Sequence, residues 1–538
     1  MNFEVNPRPT YTVLLLLAVS GVCALGILLW ATPFGIGVSP DSTVYIATAR
    51  SIGAGHGFQS GGKPITHYPP VYPTVLALSG LLEPDPLDGA RWLHAFLFAL
   101  NVVLIGISTY VYTGSSFPAS LCSILLFLSS AHMLDIHTMA WSEPLFISLS
   151  LSAFLVLTFY IAKPRIWLLV ASSSFLALAI TTRYAGVTLL PAMIIGILLF
   201  EEKPARAQIR SCFVLLVIGI SPLAIWLFRN ILVARSAINR TFAFHPINIS
   251  HIKDFLHTMY DFWLPWSCPT NLQIPQLLLA GGLVLTGFFL VLRHQIRDKA
   301  KVSMSTVMQT LIFLFSMTYA SFLFVSISFA DAHTRLSYRI MSPVYVFGII
   351  FIISVSRSVS NLKRRPSLWW CLLALFFALP CINLDRAASF AIHLHNEGSG
   401  YTKRIWRNSE SIAYVKSLPD GAMIYSNGPD IIHFLTGIKA KDIPAKVNAR
   451  NRASNPYLAR ELRAMRNNLI EKRALIVYLD NITWRWYLPT KKELEDVYKI
   501  PVLFRLQDGT VYAIREQEIT REQGASPKGD SALRHPRR

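Results

Sequence analysis

The chain has 538 residues, 53% of them hydrophobic and only 15% charged, with a mean hydropathy of +0.43. That is far more apolar sequence than a soluble core needs, so a soluble globular protein is excluded and a polytopic membrane protein is indicated. Fifty Lys and Arg against thirty Asp and Glu give a formal charge of +20, spread over short loops and a basic C-terminal part, a distribution suited to lipid and lipid-phosphate surfaces and not to nucleic acid.

Runs of about 20 apolar residues, the length that crosses the hydrocarbon core as helix, recur through the first two-thirds of the chain. Eleven are read: Tyr11 to Ala31, Trp92 to Tyr112, Phe117 to His132, Pro144 to Ala162, Ile166 to Ile180, Ala185 to Phe200, Cys212 to Phe228, Pro275 to Leu292, Val307 to Phe329, Met341 to Val355 and Leu368 to Ile382. The two flanking Thr181-Thr182-Arg183-Tyr184 are short enough to form a tilted or broken pair. Arg8 precedes the first run, but that run exceeds a signal-peptide core and no small-x-small cleavage site follows, so it reads as a signal anchor. Cys23, Cys122, Cys212, Cys371 and Cys381 sit in apolar runs and Cys268 stands alone in a loop, which implies no disulfide framework.

Lys163/Arg165, Lys203/Arg206/Arg210, Arg293/Arg297/Lys299/Lys301 and Arg357/Lys363/Arg364/Arg365 fall in alternate loops. By the positive-inside rule those loops are cytoplasmic, the N-terminus is inside, and everything after Asp385 is external. No residue feature separates a bacterial envelope from an endoplasmic-reticulum lumen, and the bacterial inner membrane is taken as the setting. Three external segments are substantial: residues 33–91, 229–274 and the part after Asp385. The cytoplasmic loops hold no Gly-rich phosphate loop and no cluster of metal-type ligands, against a nucleotide-driven pump or a nucleotide-sugar enzyme.

After Asp385 the pattern becomes that of a soluble α/β domain, residues 385–515. Helices are expected at Tyr401 to Leu418, Pro429 to Thr436 (ending at Gly437), Tyr457 to Lys472 and near Lys491 to Tyr498. Strands are expected at Ala422 to Ser426 and Ala474 to Leu479, with a hairpin over Val502 to Arg515 turning at Asp508-Gly509. The tail 516–538 is polar, mixed in charge and expected to be disordered.

The first external segment carries the densest polar grouping: Ser39-Pro40-Asp41-Ser42, Tyr45, Ala49-Arg50, Gly53 to Phe58, and Thr66-His67-Tyr68-Pro69-Pro70-Val71-Tyr72-Pro73. Ser39 can cap a helix with Pro40 at its first position, and Val44, Thr48 and Ile52 form one stripe. Asp41 then sits in the first turn, where a carboxylate can simply complement the helix dipole. The order of acidic residue, short helix, Gly-rich turn and His/Tyr/Pro-Pro turn resembles the first external loop of the GT-C-type membrane glycosyltransferases, the dolichyl-phosphate-mannose protein mannosyltransferase and aminoarabinose transferase superfamily. The resemblance spans roughly Thr10 to Asp385. It implies a GT-C-type α-helical membrane domain, 1–384, of about eleven spans with a catalytic loop 33–91, followed by the external α/β domain.

That resemblance makes Asp41 the catalytic residue, a general base that takes the acceptor proton, and implies a polyprenyl-phosphate-sugar donor with a lipid, glycan or protein acceptor. The departing phosphate needs fixed positive charge. Arg183, Arg229, Arg335 and Arg339 are the candidates, and Arg339 lies in a stretch similar to the family's Arg-Tyr-x-x-Pro motif. For each one alone, snorkelling to headgroups is an equal reading. Glu143, in Trp141-Ser142-Glu143-Pro144, matches the family's Ser-Glu motif; it can bind the acceptor, orient a donor hydroxyl or join Asp41 around a divalent cation, or serve only as a helix N-terminal charge. Tyr45, Arg50, His56, His67 and Tyr68 are the loop's candidate substrate residues, with Asp135 and His137 further mouth residues. No His/Cys/Glu spacing identifies a metal site, and the Pro40-Asp41-Ser42 motif has a single Asp where oligosaccharyltransferases have an acidic pair. A secondary transporter or lipid flippase is the competing class, but no internal repeat is found and the charges gather at one edge. A membrane-anchored sensory or structural protein would leave that grouping unexplained.

Overall fold

The computed structural model describes residues 9–81, 83–239, 242–264, 269–297, 302–331, 334–449 and 452–514; Arg8, Cys268, Lys299, Lys301 and the tail 516–538 lie outside the described residues. The chain divides into two compact units, Met1–Arg404 and Ile405–Arg538.

The first unit is helical. Its elements are α1 (Tyr11–Ala31), α2 (Pro40–Gly53), a hairpin of β1 (Gln59–Ser60) and β2 (Lys63–Pro64), α3 (Val71–Ser79), α4 (Pro86–Tyr112), α5 (Phe117–Leu128), α6 (Ala131–Thr138), α7 (Glu143–Ala162), α8 (Ile166–Thr182), α9 (Leu189–Phe200), α10 (Ala205–Ala234), α11 (Ile249–Trp263), α12 (Thr270–Arg297), α13 (Met304–Phe329), α14 (Tyr338–Leu362) and α15 (Pro366–Glu397). Each of the eleven apolar runs falls on helix. Among the described residues, eight helices (α1, α4, α7, α10, α12, α13, α14 and α15) are long and apolar enough to cross a membrane.

The other three runs differ from plain spans for identifiable reasons. Phe117 to His132 is not one straight helix: α5 and α6 meet at 64°. The Ser130 hydroxyl accepts the Met133 amide at 3.4 Å, so Ser129-Ser130 closes one helix and caps the next. At the expected break, α8 stops at Thr182, Arg183 is extended (φ −145°, ψ 131°), and a 3₁₀ turn over Tyr184–Thr188 leads into α9. Both flanking helices are shorter than a full span, and Gly186 packs onto the Ala179 carbonyl, where a Cβ would lie 2.8 Å away.

Phe154 of α7, Phe315 of α13 and Phe347 of α14 meet at the centre with ring centroids 5.0–6.0 Å apart. Lipid is as apolar as these rings, so close packing holds the bundle, and buried polar groups must be satisfied internally. Such a network runs beneath the mouth. Tyr72 OH bonds His94 Nε2 (2.8 Å), His94 Nδ1 bonds the His137 carbonyl (3.0 Å), Asn101 Nδ2 meets His137 Nε2 and the Pro144 carbonyl (3.0 Å each), and the Ser148 hydroxyl donates to Asn101 Oδ1 (2.8 Å). It anchors the start of α7, where Glu143 stands.

The segment before α2 is held on both sides by backbone. Gly37 exchanges bonds with Thr138 and Ala140 (2.8 Å each) beside Met139, and the Tyr401 amide donates to the Val38 carbonyl at 2.7 Å. The boundary drawn at Asp385 falls inside α15, since Asp385 and Arg386 end the apolar run without ending the helix.

The second unit begins just after Arg404, within the short turn α16 (Arg404–Arg407). It continues with α17 (Glu410–Ser417), β3 (Ile424–Ser426), α18 (Pro429–Thr436), β4 (Ala440–Asp442), α19 (Leu458–Glu471), β5 (Leu475–Leu479), β6 (Val502–Leu506) and β7 (Gly509–Tyr512). Its sheet has the order β4-β3-β5-β7-β6, with β4, β3 and β5 parallel and the hairpin antiparallel. Tyr425, Met465, Leu469, Ile476, Leu494 and Tyr512 form its core. Gly437 closes α18 with φ +74°, as its place after the last helical residue requires. Near Lys491 to Tyr498 the chain makes a single π turn, Glu493–Val497, and β4 is a strand the sequence did not suggest.

Gly400 takes φ +56°, and a Cβ there would lie 2.2 Å from the Val38 carbonyl oxygen. Gly400→Ala is expected to cost about 1–3 kcal/mol, read as a lowered melting temperature of the protein in lipid nanodiscs; an unchanged melting temperature would mean the Val38–Gly400 bridge does not form.

Candidate active site

Four charged side chains from four elements converge at the mouth. Ser39 caps α2 as its spacing predicts, and Asp41 occupies the first turn. The Asp41 carboxylate is not merely a dipole partner: Tyr68 OH donates to its Oδ1 at 2.7 Å and Arg339 Nη1 to its Oδ2 at 2.7 Å. Arg339, in the first turn of α14, also donates through Nε to Glu143 Oε1 at 2.5 Å. Arg183, in the break after α8, reaches the same oxygen at 2.5 Å and donates to the Ser142 hydroxyl at 3.0 Å. Glu143 is 1% exposed, and its Oε2 has no hydrogen-bond partner among the described residues.

The setting fixes the charge states outside the spans. Burial alone would raise the Asp41 carboxyl, but Arg339, the Tyr68 hydroxyl and Arg183 outweigh it and hold it below its ordinary range. Burial, with the Asp41 charge beside them, pushes the phenols of Tyr45 and Tyr68 well above the usual tyrosine range, so both stay protonated donors. Tyr45 packs edge-on against Tyr68 and Tyr72, and His67 edge-on against Tyr68.

Other candidates are engaged elsewhere. Arg229 donates to the Ile65 and Phe58 carbonyls at 2.6 and 3.3 Å and stacks on Trp226, so it pins the loop hairpin to α10. Arg50 forks onto Asp85, the cap of α4, at 2.6 and 3.1 Å, tying α2 to α4. His56 is exposed on the loop. Arg335 is exposed two residues before the loop's last position, Ser337, and no hydrogen bond or ion pair holds it among the described residues. Asp135 accepts from Tyr338 OH at 2.6 Å, beside Arg339 in sequence, while His137 belongs to the buried network.

Trp141 was missed as a site residue although it stands two residues before Glu143. Its ring carries the Arg339 guanidinium at 4.3 Å and its Nε1 donates to the Ser39 hydroxyl at 2.8 Å, so it fixes both Arg339 and the cap of α2. Asn101, likewise missed, signalled itself as an amide inside an apolar run.

No group of three or more His, Cys, Asp or Glu able to hold a metal occurs among the described residues. Asp41 and Glu143 do converge, with the Arg339 guanidinium between them. Glu143→Ala would leave two part-buried guanidinium groups without their shared counter-charge. It is expected to destabilise the protein by about 3 kcal/mol, with Glu143→Gln less severe, in thermal unfolding; equal melting of both variants and wild type would mean the network is not formed.

No protein-family model and no curated protein matches the sequence. Two solved structures are similar over nearly the whole chain: ArnT from Cupriavidus metallidurans in the apo state (TM-score 0.58) and bound to undecaprenyl phosphate (TM-score 0.56). Each is 13% identical and matched over 92% of this chain and 97% of that one. At that identity the likeness speaks for the fold. With its apolar helices, it shows a multi-pass membrane protein with the fold of the GT-C polytopic membrane glycosyltransferases.

Proposed function

We propose that the protein is an integral membrane glycosyltransferase that moves one sugar from a polyprenyl-phosphate-linked donor to a lipid, glycan or protein acceptor, with Asp41 as general base. The observation that carries this reading is the meeting of Asp41 and Glu143 with Arg339 and Arg183 at one mouth of the bundle. The donor class is taken from the similar ArnT structure with undecaprenyl phosphate bound. The alternation of basic loops supports a cytoplasmic N-terminus and an external site and C-terminal domain.

In this reaction the acceptor O–H attacks the anomeric carbon opposite the phosphate. The bond from that carbon to the phosphate oxygen breaks, polyprenyl phosphate leaves with the electron pair, and the acceptor proton passes to Asp41, inverting the sugar. Phosphate is already a good leaving group, so no second acid is required.

The arginines have two duties in sequence. Without donor they neutralise the carboxylates. A donor phosphate at the mouth competes for Arg339 and Arg183, joined by the exposed Arg335. Asp41 then loses part of its counter-charge and becomes a stronger base when there is a sugar to transfer. Glu143, whose enclosed Oε2 has no hydrogen-bond partner among the described residues, is read as binding the acceptor or orienting a donor hydroxyl. Arg229 and Arg50 support the loop, and Tyr68, backed by the Tyr45 ring, orients Asp41.

The test is transfer from radiolabelled polyprenyl-phosphate sugars by protein in lipid, with membrane extract as acceptor. Asp41→Asn should lower transfer by about 10²- to 10⁴-fold without unfolding the protein; equal transfer by both proteins would reduce Asp41 to a helix-capping charge. The pH profile is a second check. Asp41 acts only when ionised, and its depressed pKa keeps it ionised to below the ordinary 3.8 in the free protein. The kcat/KM profile should therefore stay level on the acid side past that value, with any Asp41 limb lying below it. Tyr68→Phe removes a donor to the charged form, raises the Asp41 pKa and should move the acid limb to higher pH; a limb that does not move assigns it to another group.

A further inference from the structure

The strand order of the C-terminal unit singles out one crevice. From β3 the chain passes through α18 to β4 on one side, then returns through α19 to β5 on the other. Connections leaving in opposite directions open a gap at the carboxyl ends of the strands between them, where open α/β sheets receive ligands. Here it lies between β3 and β5. Asn427, just after β3, spans its base, donating to the Leu479 carbonyl at 2.9 Å and accepting the Leu479 amide at 2.7 Å.

The loop 480–490 after β5 runs along this edge and is held in place. Arg485 is turned inward, 9% exposed, and pairs with Asp430 in the first turn of α18 at 2.5 Å and with Asp442 at the end of β4 at 3.6 Å. The Lys446 amide donates to the Tyr487 carbonyl at 2.8 Å. Trp484 and Trp486, on either side of Arg485, are turned outward, 47% and 43% exposed. Single exposed apolar residues are common, but two tryptophans on one pinned loop make a surface that water does not favour.

The chemistry around them selects a ligand class. A flat indole matches the C–H face of a pyranose ring, and carboxylate, amide and guanidinium groups at its edge match ring hydroxyls. Asn481 adds an enclosed amide nitrogen with no hydrogen-bond partner among the described residues. Along this edge Asp430, Asp442, Asp480 and Glu493 stand against Lys446, Arg485, Lys491 and Lys492, a balance that leaves no net charge to select phosphates or polyanions.

We propose that this edge, with Trp484 and Trp486 as stacking faces and Asp442 and Asn481 as polar partners, binds an uncharged oligosaccharide chain. The proposal goes beyond the transferase reading and stands without it.

Full-length protein in lipid nanodiscs would be titrated with three fluorescently labelled neutral hexasaccharides, a β-1,4-glucan, an α-1,6-mannan and a β-1,4-linked N-acetylglucosamine chain, and read by anisotropy. At least one should bind saturably and independently of raised salt. The Trp484→Ala/Trp486→Ala protein should bind it about tenfold more weakly or worse, and the double Phe protein should recover part of the loss, which separates lost stacking from lost folding. No saturable binding of any of the three, or binding that the double Ala protein keeps, overturns the proposal. Quenching of the two tryptophans by brominated lipid would assign the loop to the bilayer surface and overturn it as well.

Discussion

The mouth of the bundle depends on Arg339 serving two carboxylates at once. Asp41 comes from a helix after the first span, Glu143 from the start of α7, and Arg339 from the start of α14. Each carboxylate removed from water is costly unless paired and hydrogen bonded. The guanidinium fork meets that need with Nε on one acid and Nη1 on the other, a geometry that a lysine ammonium at the same place would not reproduce. Trp141 supplies the flat face on which the fork lies, and Arg183 completes the charge balance of Glu143. Three elements distant in sequence are thereby fixed against one another by directional bonds in a bundle whose apolar packing has little directional preference.

Much of this was legible in the residues. Long apolar runs mark helices by length alone, and Ser39-Pro40-Asp41 reads directly as a cap, a first-turn proline and a first-turn acid. Loop charge bias put Asp41, Glu143, Arg183, Arg229 and Arg339 together on one face of the membrane unit. Which arginine meets which acid was not legible, because that depends on how helices pack. Arg229 shows the point: its partners, the Phe58 and Ile65 carbonyls, lie more than 160 residues away. The bend at Ser129-Ser130 was hidden because serine is tolerated within an apolar run, and its capping bond becomes visible only in three dimensions. The strand Ala440–Asp442 is three residues long and mostly exposed, too short for any alternation to register.

The two units differ in how they spend their polar residues. In the membrane unit the polar groups form a few enclosed networks, from Tyr72 through His94, His137 and Asn101 to the start of α7, and every bond there substitutes for absent water. In the C-terminal unit they lie at the strand ends, where Arg485 and Lys491 organise a loop over a sheet edge. The first arrangement favours a fixed internal geometry, the second an ordered but exposed edge.

The backbone bridges at Gly37-Val38 carry a consequence for assembly. One flank is Thr138 to Ala140, the other Gly400-Tyr401, which follows the last span. A chain made from its N-terminus delivers Asp41 early and the second flank more than three hundred residues later. Until then the segment that aims α2 is held on one side only. A chain arrested or cut before residue 400 would contain every charged residue of the mouth and yet hold the Gly37-Val38 segment on one flank only, so that segment is fixed late and not helix by helix.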